Sequence, residues 1–199
     1  MEKMNSLLIL LSIILVPTTM FVAMPIIYPS LQTGLTSSPN STGILIQEKH
    51  KSVNSIAAIS DLATIHYYDV PDTHLAITIQ NNSKIMAMFS SPYLLIISDD
   101  FGPNEALIFN ISLNIGTVAK RDTRIEYFEA ANDLASARHI GGNMFILCET
   151  ENLPAGTYNV TISWISRSTV NSPVGTNQLQ FSSMFQKPLR TLWVQEIKG

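Results

Sequence analysis

The chain has 199 residues, of which 14% are charged, with a formal net charge of −3. That is far below the roughly one-quarter charged usual for soluble domains, and no basic footprint exists, so nucleic acid is excluded as an expected partner. The one cysteine, Cys148, excludes an internal disulfide, so an exported domain must be held by its core alone. It lies in the apolar run 144–148, where it reads as a small buried hydrophobe, with an intermolecular disulfide as the alternative.

From Ser6 to Leu31 the chain carries no charge, and residues 7–28 are apolar apart from interruptions such as Pro17, Thr18, Thr19 and Pro25. About 20 such residues cross a bilayer as a helix. A cleaved signal peptide is the competing reading, since residues 7–16 alone suffice for its apolar core. Cleavage after Ala23 would place Phe21 where a small residue is wanted, which favours an uncleaved anchor. Lys3 is the basic residue close to the segment and favours a cytoplasmic N-terminus with the C-terminal part outside. Residues 1–31 are therefore expected to be anchor or signal, 32–43 a flexible tether rich in Gly, Ser, Pro and Asn, and 44–199 an extracytoplasmic domain.

Beyond the tether the dominant period is two. Residues 74–80 place Leu75, Ile77 and Ile79 on one face. Residues 106–116 set Leu107, Phe109, Ile111, Leu113 and Ile115 against Asn110, Ser112 and Asn114. Residues 157–166 set Tyr158, Val160, Ile162 and Trp164 against Asn159, Thr161 and Ser163. Such segments are half-buried strands. Further strands are expected at 84–89, 93–97, 125–128, 144–148 and 189–197, and one short Ala-rich helix at 129–138. Turns are expected at 81–83, 91–92, 102–104, 141–143, 154–156 and 173–175. The sum is an all-β chain, an antiparallel jelly-roll or Greek-key β-sandwich behind one N-terminal hydrophobic helix.

Three elements carry a resemblance. The first is Asp69-Val70-Pro71-Asp72 followed by Leu75 to Ile79 and Ser83 to Phe89. The second is Leu153-Pro154-Ala155-Gly156-Thr157-Tyr158 leading into an alternating strand that ends at Trp164, and the third is the terminal Arg190 to Ile197. In that order, over roughly residues 60–199, they resemble jelly-roll head domains of the tumour-necrosis-factor, complement-globular-head and phage tail-fibre types. The resemblance implies a homotrimer packed around an apolar strand face, with exposed loops offered to a protein receptor or a surface glycan.

Four sequons mark glycosylation candidates at Asn40, Asn81, Asn110 and Asn159; the last two fall on the polar phase of their strands. Lys120, Arg121 and Arg124 form a basic cluster that reads as a solvated loop or a partner-binding one. Tyr67, Tyr68 and Trp193 could anchor an interface, although Trp193 and at least one of the tyrosines are expected in the core. The four histidines, His50, His66, His74 and His139, lack ligand spacing, Cys148 has no cysteine partner, and Asp99-Asp100 reads as a turn, so no metal and no cofactor are expected. No nucleophile elbow, phosphate loop or zinc-protease motif is present, and no catalytic residue is nominated. The expected function is a non-enzymatic, membrane-tethered surface protein contacting lipid through residues 7–28. The alternatives are an exported filament subunit assembling by strand exchange, and a jelly-roll glycan-active enzyme.

Overall fold

The computed structural model describes residues 43–62, 65–102, 104–129, 137–170, 175–182 and 189–198. The apolar segment 7–28, the tether and Asn40 lie outside them. Among the described residues no helix is long and apolar enough to cross a membrane.

Residues 43–199 form one compact unit of ten strands. These are β1 (Ile44–Val53), β2 (Ala57–Ser60), β3 (Tyr68–Ile79), β4 (Ser83–Ile97), β5 (Ala106–Ile115), β6 (Ala119–Phe128), β7 (Arg138–Glu149), β8 (Gly156–Ser166), β9 (Gln178–Phe181) and β10 (Arg190–Lys198). They make two antiparallel sheets, as the alternating pattern predicts. The first runs β1-β10-β4-β7, with β9 joining β4 beyond the end of β10 and β2 pairing with β9. The second runs β3-β8-β5-β6.

The alternating residues meet in one core. Ile85, Ala87, Phe89, Leu95 and Ile97 of β4 are buried together with the apolar phases of β5 and β8. Phe181 of β9 stacks on Trp164 with ring centroids 5.0 Å apart and meets Phe89 edge-on at 5.9 Å. Cys148 is buried and free, as its apolar run suggests.

Two expected turns lie inside strands. Ser91-Pro92 falls in β4 rather than between two strands. Pro92 has no N–H, and it occupies the gap where β4 changes partner on one edge, after the Ser90 to Thr191 pair and before the Tyr93 to Phe181 pair. Gly141-Gly142-Asn143 likewise belongs to β7. Gly142 is there for close approach, since a Cβ would stand 2.6 Å from the Tyr93 ring. The remaining expected turns fare better where described: Asn82 at the β3–β4 turn and Gly175 both have positive φ. Of the expected helix, residues 130–136 lie outside the described part, and Arg138 opens β7 because it pairs with Ile97. β1, β2 and β9 lie outside the strands that the sequence pattern predicts. β1 hides its strand character because Gln47 and Lys49 on its inner phase donate to the carbonyls of Thr78 (2.6 Å) and Ala76 (2.9 Å) of β3.

The connections sort by end. Both chain ends of the unit lie together, since Ile44 pairs with Lys198. The connections at that end are short: β3 to β4, β5 to β6 and β7 to β8. The strand ends joined by the longer connections, together with β2 and β9, lie at the opposite end. Strands of nine or ten residues hold the two ends about 30 Å apart.

A buried acid closes the short-turn end. Glu196 is fully buried and accepts from the Gln47 side-chain amide at 2.6 Å and the Gln80 backbone N–H at 2.7 Å, tying β10 to β1 and the β3–β4 turn. Burial pushes its carboxyl up, but these donors outweigh burial and hold it below the ordinary glutamate range. At the other end Asp61 accepts from the Asn177 amide at 2.6 Å, and buried Arg190 donates to Ser55 and to the Pro71 carbonyl at 2.9 Å. Because the folded carboxyl of Glu196 titrates below its unfolded value of about 4.3, its contribution is complete above that pH and fades as pH falls through the lower folded value. Glu196→Gln should cost about 1–3 kcal/mol at neutral pH, and urea midpoints should show the gap to wild type narrowing toward pH 3.

Candidate interaction surfaces

The two outer faces of the sandwich differ in chemistry. On the first sheet, the phase turned away from the core places His50, Trp193, Met88 and Leu147 in one cross-strand row, and Ser52, Thr191, Ser90 and Phe145 in the next. Trp193 is 37% exposed, Leu147 45% and Phe145 63%, while Leu192, Val194, Ala87 and Ile146 on the opposite phase are buried. Neighbouring apolar side chains across strands form a patch rather than scattered exposure.

On the second sheet the outer face is polar and internally bonded. Asn114 donates to Ser163 at 3.0 Å, Ser112 donates to Asp122, and Thr78 bonds Thr157 at 2.8 Å. Lys120 pairs with Asp122 at 3.3 Å and Arg124 with Glu126 at 2.6 Å. Asn110 and Asn159 stand on this face, Asn159 exposed and Asn110 half-buried. Asn81 is exposed in the β3–β4 turn, at the end where the chain ends meet.

The basic cluster is not a loop. Lys120, Arg121 and Arg124 all lie in β6, and strand alternation separates them. Lys120 and Arg124 share the polar outer face and have acidic partners there. Arg121 points the other way, into a cleft of about 480 Å³ between β6 and β7, shared with Thr123, Ile146 and Cys148. Burial pushes the Cys148 thiol up, and the positive charge of Arg121 offsets part of that rise. A second cavity, about 380 Å³, lies between β2 and β3 and is lined by Leu62, Tyr68, Asp69, Pro71 and Trp164.

Neither tyrosine enters the core. Tyr67 is 38% and Tyr68 53% exposed, and Lys120 Nζ sits 4.5 Å from the Tyr67 ring centroid. Asp99 and Asp100 form a turn, and among the described residues no group of three or more His, Cys, Asp or Glu side chains could hold a metal. Phe145 and Leu147 escaped notice because run 144–148 is apolar on both phases, which reads as a buried central strand. The distinguishing signal is the flank: Gly141, Gly142 and Asn143 precede the run, as suits a strand at an edge.

No family model matches the chain, and no curated protein matches it. Among solved structures, a chain of the infectious bursal disease virus Gx strain aligns with 76% of this chain at 10% identity and a TM-score of 0.22. The VP2 subviral particle of the same virus aligns with 77% at 12% identity and a TM-score of 0.23. This chain spans about two-fifths of the length of those proteins, covering 40% and 42% of them.

The cleft makes Cys148 a poor nucleophile, because the thiolate is the reactive form. Alkylation by iodoacetamide at pH 8 should be several-fold slower in the folded protein than in urea. Arg121→Glu should slow the folded reaction further without changing the unfolded one.

Proposed function

We propose that this chain is a non-enzymatic surface protein whose β-domain is a jelly-roll head, tethered to a membrane through residues 7–28 and self-associating as a homotrimer. The strand order supports the jelly roll: β1-β10-β4-β7 faces β3-β8-β5-β6, so that β3, β4 and β5, and again β6, β7 and β8, cross between the sheets, while β5 and β6 form a hairpin within one. The observation that carries self-association is the apolar row of Trp193, Met88 and Leu147 with neighbouring Phe145, on the face that bears no strand sequon. The polar face, with Asn110 and Asn159, suits glycan and solvent. Three copies is the number that the resemblance to jelly-roll heads implies.

The placement of loops supports an outward-facing contact end. The strand ends that the longer connections join lie at the end of the sandwich opposite Ile44, the end at which residue 43 enters. The sandwich also builds both four-stranded layers from its own strands, which favours a self-contained head over a filament subunit completed by strand exchange.

Light scattering on residues 44–199 and on the detergent-solubilised full chain is expected to give three copies or a multiple of three. The double substitution Trp193→Ser with Leu147→Asp should reduce it to single copies with little change in melting temperature, since both side chains are on the outer face. A wild-type domain that stays monomeric at tens of micromolar would sink the proposal.

A further inference from the structure

Among the described residues, five strands have an edge with no partner strand, and four of them are blunted. β6 carries Lys120, Arg121, Asp122, Arg124 and Glu126. β3 is broken between Asp69 and His74 by a bulge containing Pro71. β1 holds Glu48, Lys49 and Lys51, and two of its inner side chains already fold onto β3. β2 is four residues long. These are the devices by which natural sheets prevent unwanted pairing. β7 has none of them. From Ile140 to Cys148 it contains no charge and no proline, its side chains alternate without a bulge against β4, and Phe145 and Leu147 are exposed beside its open edge.

The sequence of β7 is complementary to itself. Directly opposite residues of an antiparallel pair share a face, so a self-pairing keeps both faces continuous when odd positions meet odd positions. Centring the pair on Met144 satisfies this. It sets Leu147 of one copy opposite Gly141 of the other and Phe145 opposite Asn143 on the outer face, and Ile146 opposite Gly142 on the inner face. The bulky half of each strand thus meets the small half of the other. The outer side of Gly141 has room, since the nearest atom to a Cβ there is the Tyr93 carbonyl oxygen at 3.8 Å. The same register brings the carboxylate of Glu149, which also pairs with Lys84 of its own copy at 3.4 Å, opposite the imidazole of His139, whose ring N–H can donate to it.

We propose that the β7 edge is a second self-contact, in which two copies pair antiparallel about a two-fold axis at Met144 and the first sheet becomes continuous across both. This contact uses backbone hydrogen bonds at the edge; it shares Leu147 and Phe145 with the outer-face patch but does not involve Trp193 or Met88. Its symmetry is isologous, the commonest closed arrangement of identical subunits.

The test is a cross-link on the axis. Met144→Cys in a Cys148→Ser background puts one thiol from each copy at cross-strand distance, within disulfide reach. Mild oxidation of the full chain in detergent should give a disulfide-linked dimer on a non-reducing gel. Asn159→Cys, exposed on the other sheet, should not cross-link under the same conditions. Gly141→Lys, whose Cβ would make only an ordinary contact at 3.8 Å with the Tyr93 carbonyl oxygen, places a charge where Leu147 would seat and should abolish the cross-link while leaving circular dichroism and the melting temperature unchanged. Trp193→Ser, which tests the outer face, should leave the cross-link intact. Absence of the Met144→Cys dimer in folded protein, or its persistence in the Gly141→Lys variant, would overturn the proposal.

Discussion

The sandwich depends on a single long strand having two partners on one edge. β4 runs for fifteen residues, with β7 along one side and β10 then β9 along the other. Antiparallel pairing requires each neighbour to take its donors and acceptors in turn, and the exchange between neighbours leaves a position at which a donor is dispensable. Pro92 stands at that position. The inner phase of β4 supplies Ile85, Ala87 and Phe89 below the exchange and Leu95 and Ile97 above it, so both halves of the first sheet share one core. Without the exchange, the β9–β2 pair would have no place in the first sheet, and Phe181 could not reach both Phe89 and Trp164.

With the core fixed, the outer faces are free to diverge. The second sheet satisfies its outer polar groups among themselves through Asn114, Ser163, Ser112 and Asp122, and it needs no cover. The first sheet leaves Trp193, Met88, Leu147 and Phe145 in water, where hydrophobic surface is removed only by another molecule. Functional asymmetry in this domain is therefore written on the faces and edges of the sheets, and the cleft beside Arg121 is a by-product of two edge strands that belong to different layers.

The strands with one wet face were readable from sequence because burial imposes a period of two; β5 and β8 were placed nearly to the residue. Those missed, β1, β2 and β9, lack that contrast. β1 turns amide and ammonium groups inward, where their partners are backbone carbonyls thirty residues away. β9 and β2 are four residues each, too short for a period to emerge. Pro and Gly misled in opposite ways: Pro92 and Gly142 look like turn residues, yet one fills a gap in a ladder and the other makes room for a ring. The basic cluster was visible as composition, but only the strand could show that Arg121 parts company with Lys120 and Arg124. The apolar face was legible in part, through Trp193; its other half was concealed in a run whose two phases are equally apolar.

The pairing of Ile44 with Lys198 has a mechanical consequence. A load entering at residue 43 acts on the first rung of the β1–β10 ladder. Pulled away from the sheet, β1 would peel, opening its rungs one after another at low force. Pulled along its own axis, the rungs from Ile44 to Val53 would resist together in shear. The domain should thus yield or hold according to the direction of tension at its base.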